Sequence, residues 1–355
     1  MIILGIETSC DDTALSVVEF TEQNGQISCK ILANAVSSQT ELGIQYGGVF
    51  PAMAKQEHIK NLPIVYDYIV KETNNIKIDT IALTVGPGLE PCLWTGITFA
   101  KELAEKLGVP IIPVNHMEGH LLSSLLPEFA IGKEIILRDF PTNAISLLVS
   151  GGHTQIIKIN NLGDYEIIGT TLDDAVGEAF DKVARMMDLP YPGGPAISKL
   201  AKISRTQSLE PRTQNLKPVI FPRPMLHSKD YNFSFSGLKT AVLYHIRDNP
   251  IKSDEDKIAI AREFEDASIE VIIKKIVNAM QEFGSTHLLL GGGVAANKYL
   301  QSELARVGQT EGYEIYYPVR EITGDNALMI AIAGYFHKDI INTKTELKAN
   351  GSLRL

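Results

Sequence analysis

Residues 1–20 read MIILGIETSCDDTALSVVEF. Met1 to Thr8 is an apolar run of strand length, Ser9 to Thr13 a polar turn, and Ala14 to Phe20 a second strand. The two runs are close enough to pair as a hairpin. The unit returns in NAISLLVSGGHTQIIKI, residues 143–159. Here Asn143 to Val149 predicts a strand, Ser150-Gly151-Gly152-His153 a turn, and Thr154 to Ile159 the returning strand. Each half of the chain thus opens on strand, phosphate-sized polar turn, strand. A third strand, Thr286 to Leu290, runs into Gly291-Gly292-Gly293. Helical periodicity fills the intervals, as over Trp94 to Leu107 and Asp174 to Met187. Strands alternating with helices indicate an α/β protein.

The chain has 355 residues, too many for one ordinary core. The expected division is an N-terminal lobe over 1–142, completed by a C-terminal helix at 326–342, and a C-terminal lobe over 143–325. Hydrophobic residues make up 45% and charged residues 21%, as in soluble globular proteins. The net charge of −9 requires that any nucleic-acid surface be local or come from a partner. Cys10, Cys29 and Cys92 form no C-x-x-C pair, so the sequence suggests neither a disulfide framework nor a cysteine zinc site. A reduced, cytoplasmic setting fits. The N-terminus lacks the basic leader of a signal peptide, and no apolar run reaches membrane-spanning length.

Residues 202–239 differ from the rest. Seven basic residues (Lys202, Arg205, Arg212, Lys217, Arg223, Lys229 and Lys239) face only Glu210 and Asp230, a local charge of +5. Pro211, Pro218, Pro222 and Pro224 give it the look of an extended insertion. Phe221, Tyr231, Phe233 and Phe235 interleave. Alone, the cluster reads equally as a solvated loop or as an RNA surface, with cations for phosphates and rings for unstacked bases.

The sharpest local signal is Asn115-His116-Met117-Glu118-Gly119-His120. On a helix His116 and His120 share a face and can chelate one divalent metal. Glu118 falls about 200° round the helix from His116, so the base of an H-E-x-x-H protease is missing. Asp325, ahead of the apolar helix Ala327 to Phe336, is a helix cap or a third ligand. Two histidines and a carboxylate with open positions suit Fe(II) or Zn(II). Gly151-Gly152 and Gly291-Gly292-Gly293 follow strands and let an anion or nucleoside approach the backbone, with Asn297 as a side-chain donor. The helix after Thr171 carries Glu178–Lys182 and Asp181–Arg185 at i,i+4 spacing, so spacing alone makes Asp181 a surface ion pair. Tyr191-Pro192-Gly193-Gly194-Pro195 then reads as a rigid helix stop.

Taken in order, ETSCDDT (7–13), GPGL (86–89), NHMEGH (115–120), LVSGGHT (148–154), GEAFDK (177–182), YPGGP (191–195), NFSFSGLKTA (232–241), GGGVAAN (291–297) and TGDNA (323–327) resemble the tRNA N6-adenosine threonylcarbamoyltransferase family, TsaD or Gcp, in its bacterial-like catalytic form. The resemblance covers nearly the whole chain. It implies an actin/Hsp70/sugar-kinase-like (ASKHA) fold with duplicated mixed-sheet subdomains. It also implies transfer of threonylcarbamoyl from threonylcarbamoyl-adenylate to N6 of the adenosine 3′ of the anticodon in tRNAs reading ANN codons. By carry-over, His116, His120 and Asp325 hold one divalent metal, with Fe(II) the first choice and Zn(II) the second. Leu148, Val149, Ser150, Gly151, Gly152, Asp181, Gly194 and Asn297 hold the adenylate. The basic insertion becomes a tRNA contact, and the implied partners are a shorter paralogue of the same fold and a small ATPase. Asp12 stands where Glu is usual, Ala52 where an acid is usual and Gln56 where Arg is usual. The rival readings are an ATPase or sugar kinase of the same fold, which has no need of the HMEGH helix, and a non-catalytic scaffold, which has no need of intact histidines.

Overall fold

The computed structural model describes residues 1–41, 44, 49–206, 219–339 and 347–355. In chain order the first elements are β1 (Ile2–Glu7), β2 (Asp12–Gln23), β3 (Gln26–Ser38), α1 (Pro51–Glu72), β4 (Thr80–Gly86), α2 (Glu90–Leu107), β5 (Ile111–Asn115), α3 (His116–Ser123) and β6 (Glu134–Ile136). There follow β7 (Ala144–Val149), β8 (Thr154–Asn161), β9 (Asp164–Thr170), α4 (Val176–Met186), α5 (Gly193–Thr206), α6 (Ser236–Asp248), α7 (Asp254–Glu282), β10 (His287–Gly291), α8 (Lys298–Glu311), β11 (Glu314–Tyr316) and α9 (Ala327–Phe336).

The chain forms two compact units, Met1–Phe140 with Tyr317–Leu355, and Pro141–Tyr316. Residues 317–325 therefore belong with the first unit, not with the second as the sequence suggested. Contacts formed by the side chains explain this: Arg138 Nη1 donates to the Tyr317 carbonyl at 3.3 Å, and Asp325 Oδ1 lies 3.1 Å from His120 Nε2. The expected terminal helix is shorter than 326–342, ending at Phe336; residues 340–342 lie outside the described ones.

The first unit holds a sheet of order β5-β4-β1-β2-β3-β6. β1 pairs antiparallel with β2 and β2 with β3, while β4 and β5 add in parallel beside β1. Residues at alternate positions reach opposite faces of a strand. Leu4 and Ile6 thus share one face with Leu15, Val17, Ile81 and Leu83, and α1 and α2 cover it with Leu62, Val65, Ile69, Ile97, Ala100 and Leu103. Against the other face lies α9, whose sequence ALMIAIAGYF is apolar all round and buried along its length up to Tyr335. Gly5 permits the contact, since a Cβ there would stand 2.1 Å from the Ala327 carbonyl oxygen.

The second unit holds a sheet of order β11-β10-β7-β8-β9, again an antiparallel meander (β7, β8, β9) with two parallel strands added beside its first member. The glycine run after β10 and the Ser150–Gly152 turn after β7 share one end of this sheet. α4 starts at Val176, two residues later than Asp174, because both preceding aspartates are engaged elsewhere. Asp173 accepts from the Phe235 backbone N–H at 2.8 Å and from the Ser234 and Ser236 hydroxyls, and Asp174 pairs with Lys182 and Lys239.

Among the described residues of the segment read as a basic, aromatic RNA surface, three of the four rings are interior. Phe221, Phe233 and Phe235 are buried, the last two stacked with centroids 6.0 Å apart. The Tyr231 hydroxyl donates to Glu282 Oε2 at 2.6 Å. Arg205 is paired with Glu265 and Asp266, Arg223 with Glu263 and Glu270, and Lys239 with Asp174. Four of these five carboxylate partners come from α7, which a charge count along residues 202–239 does not include. Glu210, Arg212 and Lys217 lie outside the described residues. Lys202 and Lys229 remain as exposed cations. Replacing Phe233 by Ala is expected to lower unfolding free energy by about 3–5 kcal/mol, as for other buried aromatics. Urea unfolding checks this; a loss below about 1 kcal/mol would contradict the assignment of this ring to the core.

Candidate metal and nucleotide sites

The metal candidate lies in the first unit. Asn115 ends β5 and caps α3, its Oδ1 accepting from the Met117 and Glu118 N–H groups at 2.8 and 3.4 Å. Its Nδ2 donates to the Arg354 carbonyl at 3.0 Å, which fixes the amide's orientation. The cap sets α3 at His116, and the helical spacing puts His116 and His120 on one face with ring centroids 4.7 Å apart. Asp325 reaches them because Asn326 supplies the cap of α9, accepting from Met329 N–H at 2.9 Å. Asn326, not Asp325, caps α9, so the Asp325 carboxylate is free to turn from the helix start toward the two histidines. Its Oδ1 stands 3.1 Å from His120 Nε2 and 3.5 Å from His116 Nε2. Donors about 2.1 Å from a common ion would be spaced roughly 3.0–3.4 Å apart, so these separations suit one tetrahedral or octahedral cation.

Glu7, at the end of β1, is the residue the sequence reading missed. It is fully buried, accepts from Thr84 Oγ1 at 2.6 Å and from the Ser9 backbone N–H, and lies 3.0 Å from His116 Nδ1. A carboxylate on Nδ1 favours the proton there, so that Nε2, on the Asp325 side of the ring, is the nitrogen that would offer its lone pair to a metal ion. Burial alone would push the Glu7 carboxyl up, but the neighbouring His116 holds it below its usual value. His116 answers in kind: burial disfavours its charged form, yet Glu7 and Asp325 raise its pKa well above the ordinary imidazole value. Asp325 is likewise held down by His116 and His120 against its burial. The site thus holds two carboxylates that draw positive charge to one point, and a divalent ion fits that demand. Among the described residues His120 Nδ1, which is buried, has no hydrogen-bond partner, so none of them gives His120 the carboxylate support that Glu7 gives His116. Glu7→Gln is expected to weaken divalent-metal affinity about 10- to 100-fold, the range for outer-shell partners. Titration against a chromophoric chelator measures it, and an unchanged affinity would remove Glu7 from the site.

Glu118 points away, as its spacing predicts, and pairs with His337 Nε2 at 2.7 Å. The polar turn after β1 adjoins the centre, with Ser9 Oγ 3.2 Å from His116 Nδ1. His58 Nε2 donates to the Cys10 carbonyl at 2.9 Å, and its Nδ1 accepts from Thr13 Oγ1 at 2.8 Å. Asp12 Oδ1 is buried with no hydrogen-bond partner among the described residues, and burial pushes that carboxyl up to about 7.

The nucleotide candidate lies in the second unit, and its glycines fall into two kinds. A Cβ on Gly177 would stand 2.6 Å from the Ser150 carbonyl, one on Gly193 2.7 Å from Asp181 Cα, and one on Gly292 2.4 Å from the Val149 carbonyl. These three glycines serve packing: they bring the starts of α4 and α5 and the turn after β10 against the chain. Gly151, Gly152, Gly194 and Gly293 have nothing within 4 Å of a would-be Cβ. Their backbone is bare on one side, as a bound anion or nucleoside requires. Ser150 N–H donates to the His153 carbonyl at 2.8 Å, and His153 N–H donates to Ser150 Oγ at 3.1 Å, which holds the turn shut. Leu148 and Val149 are sheet residues with fully buried side chains, so a ligand meets only their backbone.

Asp181 does more than the surface pairing that its spacing predicts. Its Oδ1 accepts from the Gly193 N–H at 2.6 Å, so the carboxylate anchors the Gly193-Gly194 turn. Burial raises its pKa, while the Gly193 and Gly194 N–H groups pull it back. Asn297 is largely occupied. Its Oδ1 accepts from Leu300 N–H at 2.9 Å, capping α8, and its Nδ2 donates to Ser198 Oγ at 3.1 Å and Glu265 Oε1 at 2.8 Å. A ligand can claim at most one remaining lone pair of that amide.

Residues 30–332 match the model of the family TsaD, described as tRNA N6-adenosine threonylcarbamoyltransferase. A relative bearing that name from Thermosipho africanus is 40% identical over 361 residues, spanning all of both chains. Another, from Polynucleobacter necessarius subsp. necessarius, is 43% identical over 349 residues, covering 94% of this chain and 91% of its own. Among solved structures the chain is similar to full-length HypF in its phosphate- and nucleotide-bound form, with TM-score 0.57 and 13% identity over 97% of this chain and 47% of that one. HypF of T. kodakarensis gives TM-score 0.57 at 14% identity, over 95% of this chain and 48% of that one. The chain spans about half the length of these HypF chains, and the likeness concerns the fold alone. No helix among the described residues is long and apolar enough to cross a membrane.

Proposed function

This chain belongs to the tRNA N6-adenosine threonylcarbamoyltransferase family, and on that premise we propose that it moves a threonylcarbamoyl group from threonylcarbamoyl-adenylate to N6 of the adenosine 3′ of the anticodon in ANN-reading tRNAs, releasing AMP. The observation that carries this reading over a kinase or a scaffold is the gathering of His116, His120 and Asp325 donors at one point. Neither rival needs it.

The donor is a mixed anhydride whose carbonyl is already activated, and the acceptor is a weak exocyclic amine. The protein therefore has to align the two and stabilise charge on the carbonyl and the departing phosphate. The bare backbone of Gly151 and Gly152 receives the phosphate, and Asp181 fixes the turn that presents Gly194. A divalent ion on His116, His120 and Asp325, when bound, supplies a Lewis acid and a template. Glu7 keeps the His116 proton on Nδ1 throughout. No covalent intermediate on cysteine is called for: burial holds the Cys10 thiol far above its ordinary pKa and pushes Cys92 up to about 11. Fe(II) is the first choice of metal for this donor set and Zn(II) the second.

The common sense and order of the two meanders, each with its pair of parallel strands, supports an actin/Hsp70/sugar-kinase-like fold with duplicated subdomains. A cytoplasmic setting follows from a tRNA substrate. The chain works with a shorter paralogue of its fold and a small ATPase. To test the function, the purified chain, with that pair, is given the adenylate and unmodified tRNA, and the tRNA nucleosides are analysed. Threonylcarbamoyladenosine is the expected product. Intact tRNA alongside a phosphorylated small molecule would favour the kinase.

A further inference from the structure

Beyond the two sites lies a buried carboxylate that neither uses. Glu265, in the middle of α7, has no solvent exposure. Its Oε1 accepts from Ser198 Oγ at 2.7 Å and Asn297 Nδ2 at 2.8 Å, and its Oε2 pairs with Arg205. Arg205 in turn pairs with Asp266 and lies 3.4 Å over the Tyr299 ring. A carboxylate removed from water is tolerated only with such partners.

The partners come from two separate parts of the chain. Ser198 stands on α5 four residues after Gly194, so the two share a helix face. Asn297 stands four residues after Gly293, across the single 3-10 turn Gly293–Ala296. Gly194 and Gly293 are both bare-faced. One carboxylate oxygen therefore clamps two segments, each presenting an open glycine one turn away. We propose that Glu265 is a positioning residue of the nucleotide site, which sets the Gly194 and Gly293 turns at the spacing that an adenylate needs. This deepens the reading of the second unit as the adenylate site and rests on it.

The clamp is predicted to act on binding and not on the transfer step. In Glu265→Gln one oxygen can still accept, but the new amide NH₂ faces Arg205 and the charge that held the guanidinium is gone. Displacements well under 1 Å matter at such sites. The expected result for the full chain is a Kd for AMP and a KM for the adenylate about tenfold higher, with kcat at saturation within about threefold and metal affinity at His116 unchanged. Ser198→Ala removes one arm without uncovering a charge and is expected to raise the same Kd about threefold; it serves if the Gln variant does not fold. A folded variant that binds AMP as the wild type does would overturn the proposal while leaving the adenylate reading standing. A general fall in kcat with unchanged KM would also overturn it. A wild-type chain that does not bind AMP would sink the adenylate reading, and the proposal with it.

Discussion

His120→Ala is expected to lose its bound divalent metal and at least about 100-fold in transfer rate while remaining folded. The magnitude follows from comparison with outer-shell partners, whose loss alone costs 10–100-fold; His120 is placed to touch the ion itself. Its ring Nδ1 has no partner to strand among the described residues, and its removal leaves the Glu7–His116 pair in place. His116→Ala should match it in metal and rate but differ in stability. It strips Glu7 of its cationic neighbour and leaves a fully buried carboxylate, a change that costs about 3–5 kcal/mol where the charge cannot be relieved. Metal content by atomic spectrometry, single-turnover transfer and urea unfolding on both variants separate the two effects. Equal stability of the pair would show that Glu7 does not depend on His116. Full activity in either would remove the metal centre from the reaction.

The second large effect concerns the two kinds of glycine. Gly177→Ala and Gly194→Ala make the same chemical change, and each replaces a helical glycine, which by propensity alone stabilises by roughly 0.5–1 kcal/mol. At Gly177 the new methyl meets the Ser150 carbonyl at 2.6 Å and Gly151 Cα at 3.0 Å, and backbone cannot yield cheaply. A net loss of about 1–3 kcal/mol is expected there. At Gly194 the methyl enters open space, so stability should hold or rise slightly. If that space belongs to the adenylate, KM for it should rise about tenfold, equivalent to roughly 1.4 kcal/mol of overpacking against the ligand. An unaltered KM would place the ligand elsewhere, and an unaltered stability at Gly177 would mean that the turn has room to move.

Much of this was legible in the sequence because it depends on local pattern. The strand–turn–strand openings, the apolar helix Ala327 to Phe336 and the shared face of His116 and His120 all follow from periodicity. What depends on distant partners was not. Glu7 closes an apolar strand, and a charged residue ending a buried run was its one signal; nothing nearby shows that His116 lies beside it. Asp181 reads as a surface ion pair because Arg185 is near in sequence, and nothing in that spacing shows that the Gly193 N–H also lies beside it. The charge count over the basic insertion was incomplete for the same reason. Glu263, Asp266 and Glu270 follow one face of α7 and neutralise arginines some 40–60 positions earlier in the chain. A charge count within one segment cannot register partners from another. Asn297 was read as a ligand donor, yet most of its amide is spent on its own helix cap and on Glu265.

The most direct test of the account is to strip the purified wild type of metal with a chelator, assay threonylcarbamoyl transfer with its partners, restore Fe(II) or Zn(II) and assay again. The account predicts that transfer falls with the metal and returns with it, and that His120→Ala does not respond to the addition. A stripped protein that modifies tRNA at the full rate would contradict it.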